Sequence, residues 1–290
     1  MRILLTGANG YIGKRLLPIL LEQGHIVFCC VRNKQRFTHK ELLHPNLHLI
    51  EVDLLQAKTL EKIPKDIEVS YYLIHSMLHG TEDFDQLEKQ CAQNFIDYLK
   101  KTENRQIIYL SGIANEDKLS KHLQSRKEVE DILKQSRSYY TILRAGIIVG
   151  SGSASFEIIR DLVEKLPFMI TPKWLYTKCQ PIAIRNVIDF LLNVIDSKYC
   201  TNQTYDIGGP EVLTYKEMLL QYAEVRNLKR NIITLPVMSP RLSSYWLYFI
   251  TSTSYNLAVN LVNSMKVEII CQPNHLAQSL HIELISYKEA

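Results

Sequence analysis

The residues best suited to chemistry form one short run near the start of the chain, Thr6-Gly7-Ala8-Asn9-Gly10-Tyr11-Ile12-Gly13. A strand pattern leads in, a helix pattern leads out, and glycine recurs at every third position. The glycines answer separate demands: a tight turn, an approach of bare backbone to a pyrophosphate, and close packing of helix on sheet. The amino terminus of the following helix then offers free N–H groups to the negative charge. The run is a nucleotide cradle, with Thr6, Gly7, Asn9, Gly10, Tyr11, Ile12 and Gly13 as its cofactor-binding candidates.

The end of the second strand selects the dinucleotide. An acid there holds a ribose 2′-hydroxyl and repels a 2′-phosphate. This chain has Val31-Arg32-Asn33, with Lys34 and Arg36 close behind. A guanidinium at Arg32 can pair with phosphate through two parallel hydrogen bonds. Arg32 and Arg36 therefore favour NADP(H) over NAD(H), although a solvated strand-end cation would look the same in sequence.

The elements that must position these residues alternate as parallel β-α-β units do. Strands are expected at Arg2–Leu5, His25–Val31, Leu47–Val52, Val69–Ile74, Gln106–Leu110 and Thr141–Val149, and a helix at Tyr11–Gln23 that Gly24 stops. Pro18 falls inside that helix, where it removes a hydrogen bond at about 3 kcal/mol unless a kink absorbs it. Phe84, Leu87, Cys91, Phe95, Tyr98 and Leu99 fall three or four apart and share one face of a helix of about eighteen residues. Lys127–Lys134 lies on the next helix. After Gly150 the rhythm changes: a small-residue loop, a helix ended by Pro167, a helix over Asn186–Ile195 and a strand at Thr204–Ile207. Thr214 opens a helix with Glu217 three residues on, a capping box, and Ile232–Pro236 reads as a strand. The expected fold is α/β, a Rossmann-type doubly wound parallel sheet over residues 1–150 with a smaller α+β region over 151–290 packed on it.

Composition narrows the function. Of 290 residues, 34 are basic and 30 acidic, and the net charge of +4 is too slight for a nucleic-acid partner. The six cysteines show no C-x-x-C spacing and read as reduced core residues of a cytoplasmic protein, and no histidine stands at metal-ligand spacing with a carboxylate. Met1-Arg2 runs into an apolar stretch too short for a signal peptide. Residues 242–265 carry no charged side chain, yet Ser, Thr and Asn punctuate them throughout. Two short helices around a break are expected there, either walling a substrate pocket or touching a membrane surface.

The spacing Gly-x-x-Gly-x-x-Gly after Thr6 resembles that of the atypical and extended short-chain dehydrogenase/reductase superfamily. Arg185-Asn186-Val187 and Tyr205-Asp206-Ile207-Gly208-Gly209-Pro210 resemble its carboxyl-terminal landmarks. Tyr71 to Met77, Gly150 to Glu157 and Pro240 to Trp246 are similar to stretches of the YbjT-like relatives of the NmrA-like group. The resemblance implies an adenine contact at Asp53-Leu54, which otherwise reads as a turn, and a nicotinamide-side wall at His75 and Ser76. It places Ser111 one position from the superfamily's active-site serine, hence as a cofactor-pocket residue. Active members carry Tyr-x-x-x-Lys on the helix after the fifth strand. Here His122 stands at the tyrosine position and Arg126 at the lysine position, four residues apart on one helical face. Histidine can do acid–base work near neutral pH, whereas arginine stays charged and relays no proton. His122 and Arg126 are thus the catalytic candidates.

Two functions follow from this departure. One is an NADPH-dependent reductase or isomerase of a small apolar or quinone-like substrate. The other is a non-catalytic sensor of the nicotinamide pool, or an assembly or regulatory protein of the NmrA-like kind, with a partner in place of a substrate.

Overall fold

The computed structural model describes residues 1–40, 42–74, 84–113, 121–235 and 267–290, and only the backbone of Phe84, Lys121, His122 and Leu235. The main sheet is built from β1 (Arg2–Thr6), β2 (Ile26–Val31), β3 (Leu47–Glu51), β4 (Val69–Tyr72), β5 (Gln106–Gly112) and β6 (Tyr139–Ala145). All pair in parallel in the order β3-β2-β1-β4-β5-β6, and β11 (Gln203–Ile207) adds a seventh strand beside β6. Parallel strands buried on both faces should be continuously apolar. β1 bears this out, with Ile3, Leu4 and Leu5 all fully buried. The strand order reverses between β1 and β4, so the switch-point crevice opens at their carboxyl ends.

Helix α1 (Gly13–Glu22) covers one face and runs through Pro18. Proline leaves the carbonyl of Lys14 without its helical donor. The His39 ring fills that role, its Nε2 lying 3.0 Å from the Lys14 oxygen. Gly24 ends the helix at φ +78°, the left-handed conformation that glycine adopts without strain. Between β3 and β4 lies the short α2 (Ala57–Leu60), and the opposite face carries α3 (Phe84–Leu99) and α4 (Lys121–Leu133).

The buried stripe of α3 differs from the expected one by one position. Leu87 is exposed and Glu88 is buried, continuing into Ala92, Phe95, Ile96 and Leu99. The Glu88 carboxylate has a reason to be inside: it accepts from the buried Ser125 hydroxyl of α4 at 2.7 Å.

The expected sixth strand is broken in two. The chain leaves the main sheet after Ala145, and β7 (Ile148–Val149) pairs instead with β10 (Ile182–Ala183). At Gly146 a Cβ would come within 2.7 Å of Ile269, so the carboxyl-terminal segment crowds the point of departure. Next come α5 (Ala154–Lys165), the unanticipated β8 (Phe168–Pro172), β9 (Lys178–Cys179), α6 (Ile184–Asn193), β12 (Leu213–Thr214) and α7 (Tyr215–Val225). Thr214 and Glu217 form the expected capping box. β13 (Asn231–Leu235) pairs in parallel with β8, and α8 (Leu276–Ser279) is the last helix. Two landmark residues anchor the end of the chain: Asn186 bonds the backbone of Glu283 and Ile285, and Asp206 accepts from Gln272 N–H. No described helix is long and apolar enough to cross a membrane, and residues 242–265 lie outside the described ones.

At the amino-terminal edge of the sheet, Glu68 accepts from Arg2 N–H at 2.7 Å and from Arg105 at 2.9 Å, while Arg105 also pairs with Asp196 at 2.6 Å. The Arg2 backbone bond and then Arg105 hold the Glu68 carboxyl below its usual value of 4.5. A carboxyl whose folded value is depressed contributes stability above its unfolded value, and that contribution is lost as pH falls through the folded one. Glu68→Gln is therefore expected to flatten the decline of unfolding midpoint in acid below about pH 4.5 and to change little of its slope near neutrality. An unaltered acid limb would assign no such role to Glu68.

Candidate functional site

The glycine loop lies at the switch point. Thr6 is fully buried and ties β1 to β4, donating from Oγ1 to Tyr71 O at 2.9 Å and accepting from Leu73 N–H at 3.1 Å. Gly7 then turns at φ +70°, and a Cβ there would come within 2.4 Å of Leu73 O. Gly10 N–H donates back to Gly7 O at 2.8 Å, closing the turn and leaving Asn9 and Gly10 exposed at its tip. At Gly13 a Cβ would lie 2.4 Å from Gly7 O, so only glycine lets α1 start this close to the strand. The amides of Ile12 and Gly13 donate to no backbone carbonyl among the described residues, and no acid occupies the first turn of α1. The loop is a cradle of bare backbone facing a helix amino terminus.

Tyr11 leaves this loop toward the segment after β7. Its ring is covered by the Arg15 guanidinium at 3.9 Å, and Arg15 donates to Tyr11 O at 3.1 Å and to Ser151 O at 2.5 Å. Burial pushes the Tyr11 phenol above its usual range, against the pull of Arg15, and its hydroxyl is buried without a partner among the described residues. The Gly150–Ser155 loop packs against this phenol, since a Cβ on Gly150 would stand 2.8 Å from the Tyr11 oxygen. Arg15 had no signal in the motif beyond its place four residues after Tyr11, one helical turn away.

At the end of β2, Arg32 and Arg36 are exposed, and neither side chain makes a hydrogen bond or ion pair among the described residues. Asn33 caps the turn between them by accepting from Gln35 N–H at 2.8 Å. Asp53 serves as a turn former: its carboxylate accepts from Leu55 N–H at 3.1 Å and from Gln56 at 3.2 Å. Leu54 sends its side chain into the core beside Leu4 and Phe28, while its carbonyl accepts from Asn94 at 2.7 Å. Cys91 lies close enough for Asp53 and Arg32 to act on it, and burial pushes its thiol up to about 12.

The carboxyl end of β5 holds the second part of the site. Ser111 is buried, and the Arg126 guanidinium spreads over Gly112, its Nη1 3.0 Å from where a Cβ would stand. Arg126 Nε is buried with no hydrogen-bond partner among the described residues. Burial raises the neighbouring Tyr109 phenol to about 12, with Arg126 acting in the opposite direction. Two buried links fix α4 on either side of Arg126: Ser125 to Glu88, and Glu130 to Arg144 at 2.5 Å. His122 lies one turn before Arg126 on α4, its side chain outside the described ones, as are His75 and Ser76 altogether. A separate cavity of about 630 Å³ between α1, α6 and residues 283–289 touches neither the glycine loop nor Arg32 or Arg126.

The parallel strand order with a glycine cradle at its reversal defines a dinucleotide-binding Rossmann protein. Residues 7–166, more than half of the chain, match the model of the NAD(P)H-binding family, and the chain belongs to that family. The proteins it is similar to include reductases and a nucleoside-diphosphate-sugar epimerase. It is 23% identical over 227 residues to the divinyl chlorophyllide a 8-vinyl-reductase, chloroplastic, of Arabidopsis thaliana, over 72% of this chain and 54% of that protein. The chain thus spans about half the length of the chlorophyllide reductases it matches. A nucleoside-diphosphate-sugar epimerase from Staphylococcus aureus shares the fold at TM-score 0.79 and 15% identity, over 100% of this chain and 99% of that one. The Citrobacter sp. triphenylmethane reductase complexed with NADP(H) does so at TM-score 0.77 and 16% identity, over 100% and 98%.

Proposed function

We propose that this chain is an NADP(H)-dependent reductase of a small apolar or quinone-like substrate. The observation that carries the reading is the pairing of the glycine cradle with a buried, unpartnered Arg126 Nε at the end of β5. A buried guanidinium nitrogen without an acceptor is costly, and a ribose or anionic group of a bound dinucleotide would satisfy it. The residues fit such a cofactor: Gly7, Gly10 and Gly13 admit a pyrophosphate to backbone, and Arg32 and Arg36, unpaired among the described residues, offer guanidiniums to a 2′-phosphate. Bound NADPH supplies a hydride. Arg126 orients and stays charged, and His122 holds the proton that must accompany reduction. The reductase reading also draws on the names of relatives, the Arabidopsis vinyl-reductase and the Citrobacter triphenylmethane reductase.

Titration calorimetry with NADPH, NADP⁺, NADH and NAD⁺ tests the proposal, followed by a screen of quinones and activated alkenes for NADPH oxidation. Arg32→Ala is expected to weaken NADPH binding roughly 10- to 100-fold, the worth of a charge-assisted bond, and to leave NADH unchanged. Equal losses for both nucleotides would remove Arg32 from the 2′-phosphate. No binding of any nucleotide would sink the reductase.

A further inference from the structure

The β8–β13 ribbon has two unlike faces. Side chains alternate along each strand, and the parallel register sets Phe168 beside Asn231 and Ile170 beside Ile233. Met169 and Thr171 are buried on the inner face, whereas Phe168, Ile170 and Ile233 are 49%, 46% and 51% exposed on the outer one. Single exposed apolar residues need no explanation, but three on one face of a two-stranded ribbon form a patch. Tyr176, which follows the ribbon, is also exposed, with the Lys216 ammonium 5.2 Å from its ring centre.

Charge on the two segments that form this ribbon is one-sided. From Lys165 to Lys178 and from Arg226 to Leu235 the chain contains no Asp or Glu. The first carries Lys165, Lys173 and Lys178, and the second Arg226, Lys229 and Arg230. Across the whole chain the 34 basic and 30 acidic residues nearly balance, so the asymmetry belongs to these stretches. Lys165 and Arg226 are paired with Asp161 and Glu164, but Lys173, Lys229 and Arg230 form no ion pair among the described residues.

We propose that the outer face of the β8–β13 ribbon docks the protein on an anionic lipid bilayer surface. Apolar side chains at the centre enter the headgroup boundary, and the surrounding lysines meet the negative surface potential. A second copy would bring the same cationic face and repel it, while a bilayer supplies both the apolar phase and the opposite charge. The inference goes beyond the nucleotide reading and uses none of its residues.

The test is flotation of the full chain with phosphatidylcholine vesicles, with and without phosphatidylglycerol at roughly a quarter of the lipid. Binding is expected only to the anionic vesicles and is expected to fade with salt. Lys173→Gln with Lys229→Gln should weaken it about twenty-five-fold, at about five-fold per lysine near the surface. Phe168→Ser with Ile233→Ser should weaken it at least about ten-fold, through lost apolar burial. All four positions are exposed, and NADPH titration of each variant separates a docking defect from failure of the nucleotide site. Equal binding to neutral vesicles, or anionic binding that neither pair of substitutions reduces, would overturn the proposal. So would a concentration-dependent dimer in sedimentation that Phe168→Ser with Ile233→Ser dissociates, because the face would then join copies of the chain.

Discussion

Gly7→Ala is expected to abolish dinucleotide binding and to destabilise the fold by about 3 kcal/mol. Two separate effects add. The residue sits at φ +70°, where a Cβ costs about 1–2 kcal/mol, and that Cβ would stand 2.4 Å from the Leu73 carbonyl oxygen. The Leu73 backbone is bonded to Thr6, so it cannot retreat without loosening β1 from β4 at the crevice itself. A loss of this size should lower the melting temperature by roughly 6–12 °C. Gly13→Ala meets the same contact distance, against Gly7 O, without a left-handed penalty. It should bind as poorly while losing less stability. Thermal unfolding and NADPH titration of the two variants check the ordering. An alanine at position 7 that binds at wild-type strength would remove the cradle from the argument.

The second large effect lies behind the site. Glu130 is 1% exposed and takes three hydrogen bonds from Arg144, at 3.0, 3.2 and 2.5 Å, across α4 and β6. Arg144→Leu leaves that carboxylate buried without its partner, a change that costs about 3–5 kcal/mol. Removing both charges, with Glu130→Leu and Arg144→Leu together, should restore most of the loss, because two apolar groups leave nothing unpaired. Denaturant midpoints of the three variants are the measurement. A double variant no more stable than Arg144→Leu would mean that the pair supports α4 by some other contact. Since Arg126 is four residues before Glu130 on α4, loss of the pair should also loosen the guanidinium over Gly112.

Much of the site was legible because its demands are local. The glycine spacing, the strand before it and the helix after it lie within 21 residues, Arg2 to Glu22, and each is dictated by backbone sterics or period. The same holds for Gly24 as a helix stop and for the Thr214–Glu217 capping box. Arg126 over Gly112 was half legible: the spacing from His122 placed it on a helix, but not above the end of β5.

What only the tertiary structure decided concerns partners far apart in the chain. Residues 203–207, well beyond the first 150, supply the seventh strand of the main sheet. The break after Ala145 depends on Ile269 and on Ile182–Ala183, neither within local reach of it. Glu88 rather than Leu87 is buried on α3 because Ser125 waits opposite, a polar compensation that hydrophobic period cannot register. The outer face of β8 and β13 likewise appears only when strands about sixty residues apart come into register. Period and turn chemistry act over a few residues, so a sequence reveals which elements form; which elements meet is settled by burial and hydrogen-bond satisfaction across the whole fold.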